Sequence, residues 1–173
     1  MSICETLPVS AALRAAQRTV GISDYYVSTD PAEVIVTYSL GSCVGLTIYD
    51  PVSKIGGMVH CLLPMSSLDP EKARQNPAMF TDTGVSKLLQ SVYDLGASPK
   101  RVIARVAGAG CLMDEKGTFR IGERNITTLR KVLWKNSIML SGEEVGGTIP
   151  RTLYLYMDTG KTVVRSQGNI RDL

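Results

Sequence analysis

Two apolar runs rich in β-branched residues, Val44-Gly45-Leu46-Thr47-Ile48-Tyr49 and Ile55-Gly56-Gly57-Met58-Val59-His60, flank Asp50-Pro51-Val52-Ser53-Lys54. That arrangement demands a β-hairpin. Proline cannot donate to a strand ladder and presets the backbone at the second position of a type I turn. The turn therefore reads as Asp50 to Ser53, with Tyr49 paired to Lys54. Carried along the ladder, this register sets Cys43 directly opposite His60 on one face, with Cβ atoms roughly 4.5 to 5.5 Å apart. A bulge at Gly56-Gly57 would slip the register by one residue and part the pair.

His60 is the only histidine among 173 residues, so imidazole-assisted chemistry has one place to occur. A free thiol has a pKa of about 8.5 and reacts as the thiolate; a neighbouring imidazole takes the proton and returns it to a leaving amine. Gly41-Ser42, just before Cys43, reads as a tight turn whose backbone N–H groups are candidates to hold an oxyanion. A third group must orient the ring, and both Thr37 and Ser39 offer a hydroxyl. If Tyr38 and Leu40 turn into the core, strand alternation puts Thr37 and Ser39 together on the opposite face. A lone His beside a Cys on a strand is also ordinary core composition, so spacing by itself does not assign catalysis.

Thr37-x-x-x-Gly41-Ser42-Cys43-Val44, then Tyr49-Asp50-Pro51, Lys54-Ile55-Gly56-Gly57-Met58-x-His60 and Leu63-Pro64, resemble the chemoreceptor glutamine deamidases, the CheD family. The resemblance runs from about Gly21 to Arg165 and includes Phe80-Thr81-Asp82, Gly96-Ala97, Gly108-Ala109, Ile121-Gly122-x-Arg124-Asn125, Val145-Gly146-Gly147 and Arg151. It implies Cys43 as nucleophile, His60 as base and Thr37 as the third member. The implied reaction is hydrolysis of glutamine side-chain amides on methyl-accepting chemotaxis receptors, through a thioester. It also implies a CheC-type phosphatase as partner, and hence an alternative role as an adaptor that binds that phosphatase. The family's fold is a layered α/β/α sandwich. One departure is Val106-Ala107-Gly108-Ala109-Gly110-Cys111, where relatives more often carry an aromatic before the glycines.

Hydrophobic residues make up 44% of the chain and charged residues 20%, enough for one globular core. A net charge of +3, with Lys and Arg dispersed, supplies neither a nucleic-acid stripe nor a membrane-binding run, and neither partner is expected. The four cysteines, Cys4, Cys43, Cys61 and Cys111, have no Cys-x-x-Cys spacing, and one histidine cannot complete a two-His zinc site. No metal or cofactor is expected. Arg14 and Arg18 interrupt the Ala-rich N-terminal stretch, so no leader or membrane span is read there, and the chain is expected in the cytoplasm with free thiols.

Residues 1–18 read as an appendage, helical or frayed over 11–18, and residues 19–173 as a single catalytic domain. Strands are expected over 22–28, 33–37, 101–106, 138–140, 151–157 and 162–165, the last two joined by a turn at Asp158-Thr159-Gly160-Lys161. Residues 66–77 read as a connecting loop. Val85, Leu88, Leu89, Val92 and Tyr93 predict a helix over 83–95, with Asp82 as cap and Gly96 as stop. Gly108-Ala109-Gly110 reads as a bend; no Lys-Ser/Thr follows to make a phosphate loop. Asp114 to Gly117 reads as an exposed turn. Ile126, Leu129, Val132 and Leu133 predict a second helix, and Asn125 reads as either its start residue, the favoured role, or a substrate contact. The sum is an α+β domain of mixed, largely antiparallel strands.

Overall fold

The computed structural model describes residues 16–112 and 118–173. The expected appendage lies mostly, and the expected turn at 114–117 wholly, outside the described residues. The chain runs β1 (Ala16–Thr19), β2 (Asp24–Ser28), β3 (Glu33–Leu40), β4 (Val44–Asp50), β5 (Ile55–Cys61), α1 (Pro70–Gln75), α2 (Thr81–Asp94), β6 (Ile103–Gly108), α3 (Ile121–Lys135), β7 (Leu140–Val145), β8 (Arg151–Tyr156), β9 (Thr162–Ser166) and β10 (Asn169–Asp172). The strands form two five-stranded sheets, ordered β1-β3-β8-β9-β10 and β2-β5-β4-β6-β7. Among these strands, β1–β3 and β6–β7 pair in parallel and the other pairs are antiparallel; Leu63 and Phe80 add an isolated parallel bridge. The residues expected to be helical or frayed before Val20 are thus, over 16–18, part of a strand.

Alternation in the hairpin separates two cores. Val44, Leu46, Ile48, Val59 and Cys61 face α2 and α3, which bury Val85, Leu88, Leu89, Ile126, Leu129 and Leu133 against them. Cys43, Tyr49 and Met58 face the other sheet, where they meet Ile35, Leu40, Leu153 and Leu155. The result is the layered α+β domain expected, with helices on one face of the hairpin sheet. Among the described residues, a second sheet occupies the other face.

Local signals explain most boundaries. Gly96 takes the left-handed conformation just past α2, with φ of 112°, and donates to the Tyr93 carbonyl. Asp82 is not the cap: it lies inside the first turn of α2, and its carboxylate accepts from the backbone N–H and hydroxyl of Ser66. Residues 66–77 are not a plain loop either. Asp69 accepts from the Lys72 N–H ahead of Pro70, an N-cap followed by proline at the first helical position, and this starts α1.

The hairpin register differs from expectation by two residues. Asp50 closes the ladder against Ile55, and Gly45, not Cys43, stands opposite His60. The cause is the turn. Lys54 adopts φ of 58° and donates to the Asp50 carbonyl, while the Asp50 carboxylate accepts from Val52 N–H, so four residues are looped out beyond Asp50. An even slip preserves the face: Cys43 and His60 remain on one side as diagonal neighbours instead of a directly opposed pair.

Candidate active site

His60 is buried on β5 and reaches across the space between the sheets. Its Nδ1 lies 2.7 Å from Thr37 Oγ1 on β3. The same hydroxyl donates to the Val20 carbonyl at 2.7 Å. A threonine hydroxyl has one proton, and a carbonyl can only accept, so Thr37 must accept from His60 Nδ1–H. Proton counting thus fixes the neutral tautomer whose Nε2 carries a free lone pair. Nε2 is buried and, among the described residues, has no hydrogen-bond partner.

Thr37 faces inward on the regular part of β3, and a bulge follows it. Thr37 pairs with Leu153 and Leu40 with Arg151, leaving Tyr38 and Ser39 as the irregularity, with Ser39 at φ of 57°. An extra residue in a strand reverses the alternation after it, so Thr37 and Leu40 both face inward while Tyr38 and Ser39 are exposed. The expected grouping of Tyr38 with Leu40, and of Ser39 with Thr37, therefore fails. Of the two candidate hydroxyls, Thr37 bonds the imidazole and Ser39 lies outside.

Cys43 sits in the short loop between β3 and β4 and is buried among Leu40, Ala107 and Leu153. Burial pushes its thiol pKa up and lowers that of His60 to about 4. The pair at rest is therefore a neutral thiol and a neutral imidazole, with no hydrogen bond between them. Cys61 points to the helical side of the sheet, fully buried, and its thiol is pushed far up by desolvation.

The loop carrying Cys43 is held by its carbonyls. Gly41 accepts from Gly110 N–H at 2.7 Å, Cys43 from Ala109 N–H at 2.7 Å, and Ser42 from the Asn125 side-chain amide at 2.9 Å. In a trans peptide the N–H points opposite the C=O, so these bonds turn the N–H groups of Ser42 and Cys43 the other way. Gly108 permits the approach: a Cβ there would come within 2.3 Å of the Cys43 carbonyl oxygen. Gly122 does the same for the start of α3, whose backbone abuts Ala109 and Gly110.

Asn125 is not a helix-start residue. It lies a turn inside α3, fully buried on the stripe shared with Gly122, Ile126 and Leu129. A polar amide on that apolar stripe was the sequence signal of its role. Beside the loop opens a cavity of about 570 Å³, walled by Ser42, Gly110, Leu112, Ile121, Ile126 and Val145 among others. The described residues bring no three His, Cys, Asp or Glu side chains together as a metal site. No helix among them is long and apolar enough to cross a membrane.

The family model for CheD chemotactic sensory transduction matches residues 62–166. A probable chemoreceptor glutamine deamidase CheD of Solibacter usitatus (strain Ellin6076) is 47% identical over 157 residues, which cover 91% of this chain and 93% of that protein. A probable chemoreceptor glutamine deamidase CheD 1 of Syntrophus aciditrophicus (strain SB) is 46% identical over 155 residues, 89% of this chain and 97% of that one. Among solved structures, Neisseria meningitidis protein NMB0706, family-model DUF152, has a TM-score of 0.46 at 9% identity, over 81% of this chain and 66% of its own. A matched family model over more than half of the chain and near-full-length relatives lead to one assignment: the chain belongs to the CheD family.

Proposed function

We propose that this protein hydrolyses glutamine side-chain amides on methyl-accepting chemotaxis receptors, giving glutamate and ammonia, with Cys43, His60 and Thr37 as the catalytic residues. The observation that carries this reading is the Val20–Thr37–His60 chain of hydrogen bonds, which leaves Nε2 unprotonated on the face that Cys43 shares. The names of the relatives supply the substrate class.

In the proposed reaction His60 Nε2 takes the Cys43 proton as Sγ attacks the amide carbon. The new C–S bond leaves a negative charge on the amide oxygen, which the N–H groups of Ser42 and Cys43, in the Gly41 to Cys43 turn, stabilise. Collapse breaks the C–N bond, and the departing nitrogen takes the proton from His60 to leave as ammonia. Water then gives its proton to His60 and adds to the thioester. Its collapse releases glutamate and the Cys43 sulfur, which recovers the proton. Buried, neutral partners suit this concerted transfer better than a preformed ion pair, because a charged imidazole is disfavoured there. Catalytic hydrogen bonds tighten when substrate binds, which accounts for a thiol and Nε2 not yet bonded.

We assign this activity to one domain, the expected 19–173 extended by Ala16 to Arg18, which pair with Glu33 to Ile35 in the sheet, with 1–15 appended; it acts in the cytoplasm, where thiols stay reduced. A CheC-type phosphatase, the partner implied by the resemblance, is read as a competitor for the cavity beside Ser42. The test is peptide mapping of a receptor fragment incubated with the protein. A gain of about one dalton at specific glutamines, lost with Cys43→Ala, supports the reading; a chain that only bound a phosphatase would leave every glutamine unchanged.

A further inference from the structure

We infer that Asn125 is a positioning residue for the nucleophile loop: its amide replaces a missing rung between the Cys43 and His60 strands and so aims the backbone N–H of Cys43. The inference rests on the deamidase reading above. The β4–β5 ladder ends at Val44 opposite Cys61. Beyond that rung the carbonyls of Ser42 and Leu62 converge on one point, and two acceptors cannot bond each other. Asn125 Nδ2 sits between them and donates to both, at 2.9 Å and 3.1 Å.

Only a group with two donors on one atom satisfies two converging carbonyls, and a side-chain amide is such a group. Its orientation is set from behind by the Thr81 hydroxyl, which lies 3.1 Å from both Asn125 Oδ1 and the Leu63 carbonyl; that carbonyl already accepts from Thr81 N–H at 2.7 Å, so the single hydroxyl proton is assigned to Asn125 Oδ1. Both Asn125 and Thr81 are fully buried, so water does not substitute for either. One side chain of α3 thus holds the residue before Cys43 and the second residue after His60. Because the Ser42 carbonyl and the Cys43 N–H belong to one rigid peptide plane, fixing the first aims the second. An aspartate here would set oxygens against both carbonyls.

The test compares Cys43→Ala, Asn125→Asp, Asn125→Ser and Thr81→Val in the full chain by two readouts. Deamidation of a receptor fragment needs the backbone donors; alkylation of Cys43 by iodoacetamide forms no oxyanion and does not. Asn125→Asp is expected to lower kcat about 10²-fold, as misplacement by about 1 Å does. Its KM stays within about two-fold, and Cys43 alkylation within about three-fold. Asn125→Ser, which keeps one donor, recovers part of kcat. Full kcat in folded Asn125→Asp overturns the inference, and so does a parallel fall of deamidation and alkylation, which would mark a general loss of the site. Should Asn125→Asp not fold, Thr81→Val decides: a fall in kcat of about five-fold is expected with alkylation intact, and unchanged kcat overturns the inference. Deamidation surviving in Cys43→Ala would instead overturn the thioester reading itself, and this inference with it.

Discussion

Thr37 Oγ1 stands 2.7 Å from His60 Nδ1, so a residue of one sheet orients the only imidazole in the chain, which belongs to the other. Thr37→Val keeps the shape and deletes the hydroxyl. It frees the ring to change tautomer and leaves the Val20 carbonyl without its donor. The deamidation rate should fall by about ten-fold or more, with a loss of roughly 1 kcal/mol in stability. Ser39→Ala, at an exposed position outside the site, should leave the rate unchanged. Parallel rate and denaturation measurements on the two variants check this; an unaffected Thr37→Val would remove Thr37 from the mechanism.

Acid should act on this protein through His60 before it acts on the carboxylates. The folded-state pKa of about 4 lies below the ordinary 6.5, so the unfolded chain binds this proton first as pH falls. Stability is whole above about pH 6.5 and declines toward pH 4, by up to about 3 kcal/mol. Urea titrations across this interval should show the slope in the parent protein and a flatter one in His60→Gln. In the same way the acid limb of kcat/KM should lie near pH 4, not near 6.5.

Thiol labelling should separate the three described cysteines. Cys111 is exposed and should react first with iodoacetamide; Cys61 is fully buried and should not react in the folded protein. Cys43 falls between them. Burial raises its pKa, so its labelling rate should keep climbing past the ordinary thiol range near 8.5. A labelling rate for Cys43 that has already levelled off at neutral pH would indicate a preformed thiolate and contradict the neutral resting pair.

Gly108 makes a sharp structural test. Its φ of 107° and a Cβ position 2.3 Å from the Cys43 carbonyl leave no room for alanine. Gly108→Ala should cost about 2 kcal/mol or more and disturb the nucleophile loop. Gly21→Ala, with nothing within 4 Å of the added carbon, should stay within about 0.5 kcal/mol of the parent. Thermal unfolding of the two variants gives the comparison.

Much of this site was legible in the residues, because strand alternation depends on parity and not on the exact rung. The hairpin and the shared face of Cys43 and His60 follow from two β-branched runs around Asp50-Pro51. The rung itself did not follow, because it depends on Lys54 taking a left-handed conformation that no residue type there announces. The bulge at Tyr38-Ser39 was hidden for the same reason. It decides between two hydroxyls that the sequence offers equally. The helical stripe of α2 was plain, whereas the layer beyond the hairpin sheet was not. Short strands such as Ala16–Thr19 and Asn169–Asp172 are exposed throughout and carry no apolar alternation.

If Cys43 is the nucleophile of a glutamine deamidation, an acyl-enzyme can be trapped on it. The protein is mixed with a receptor fragment, quenched in acid within the first turnover, and mapped by mass spectrometry. A thioester between Cys43 and a receptor glutamine carbonyl is expected, together with glutamate at that position after full reaction, and neither in Cys43→Ala. Conversion of glutamine to glutamate by Cys43→Ala at the parent rate would exclude Cys43 as the nucleophile.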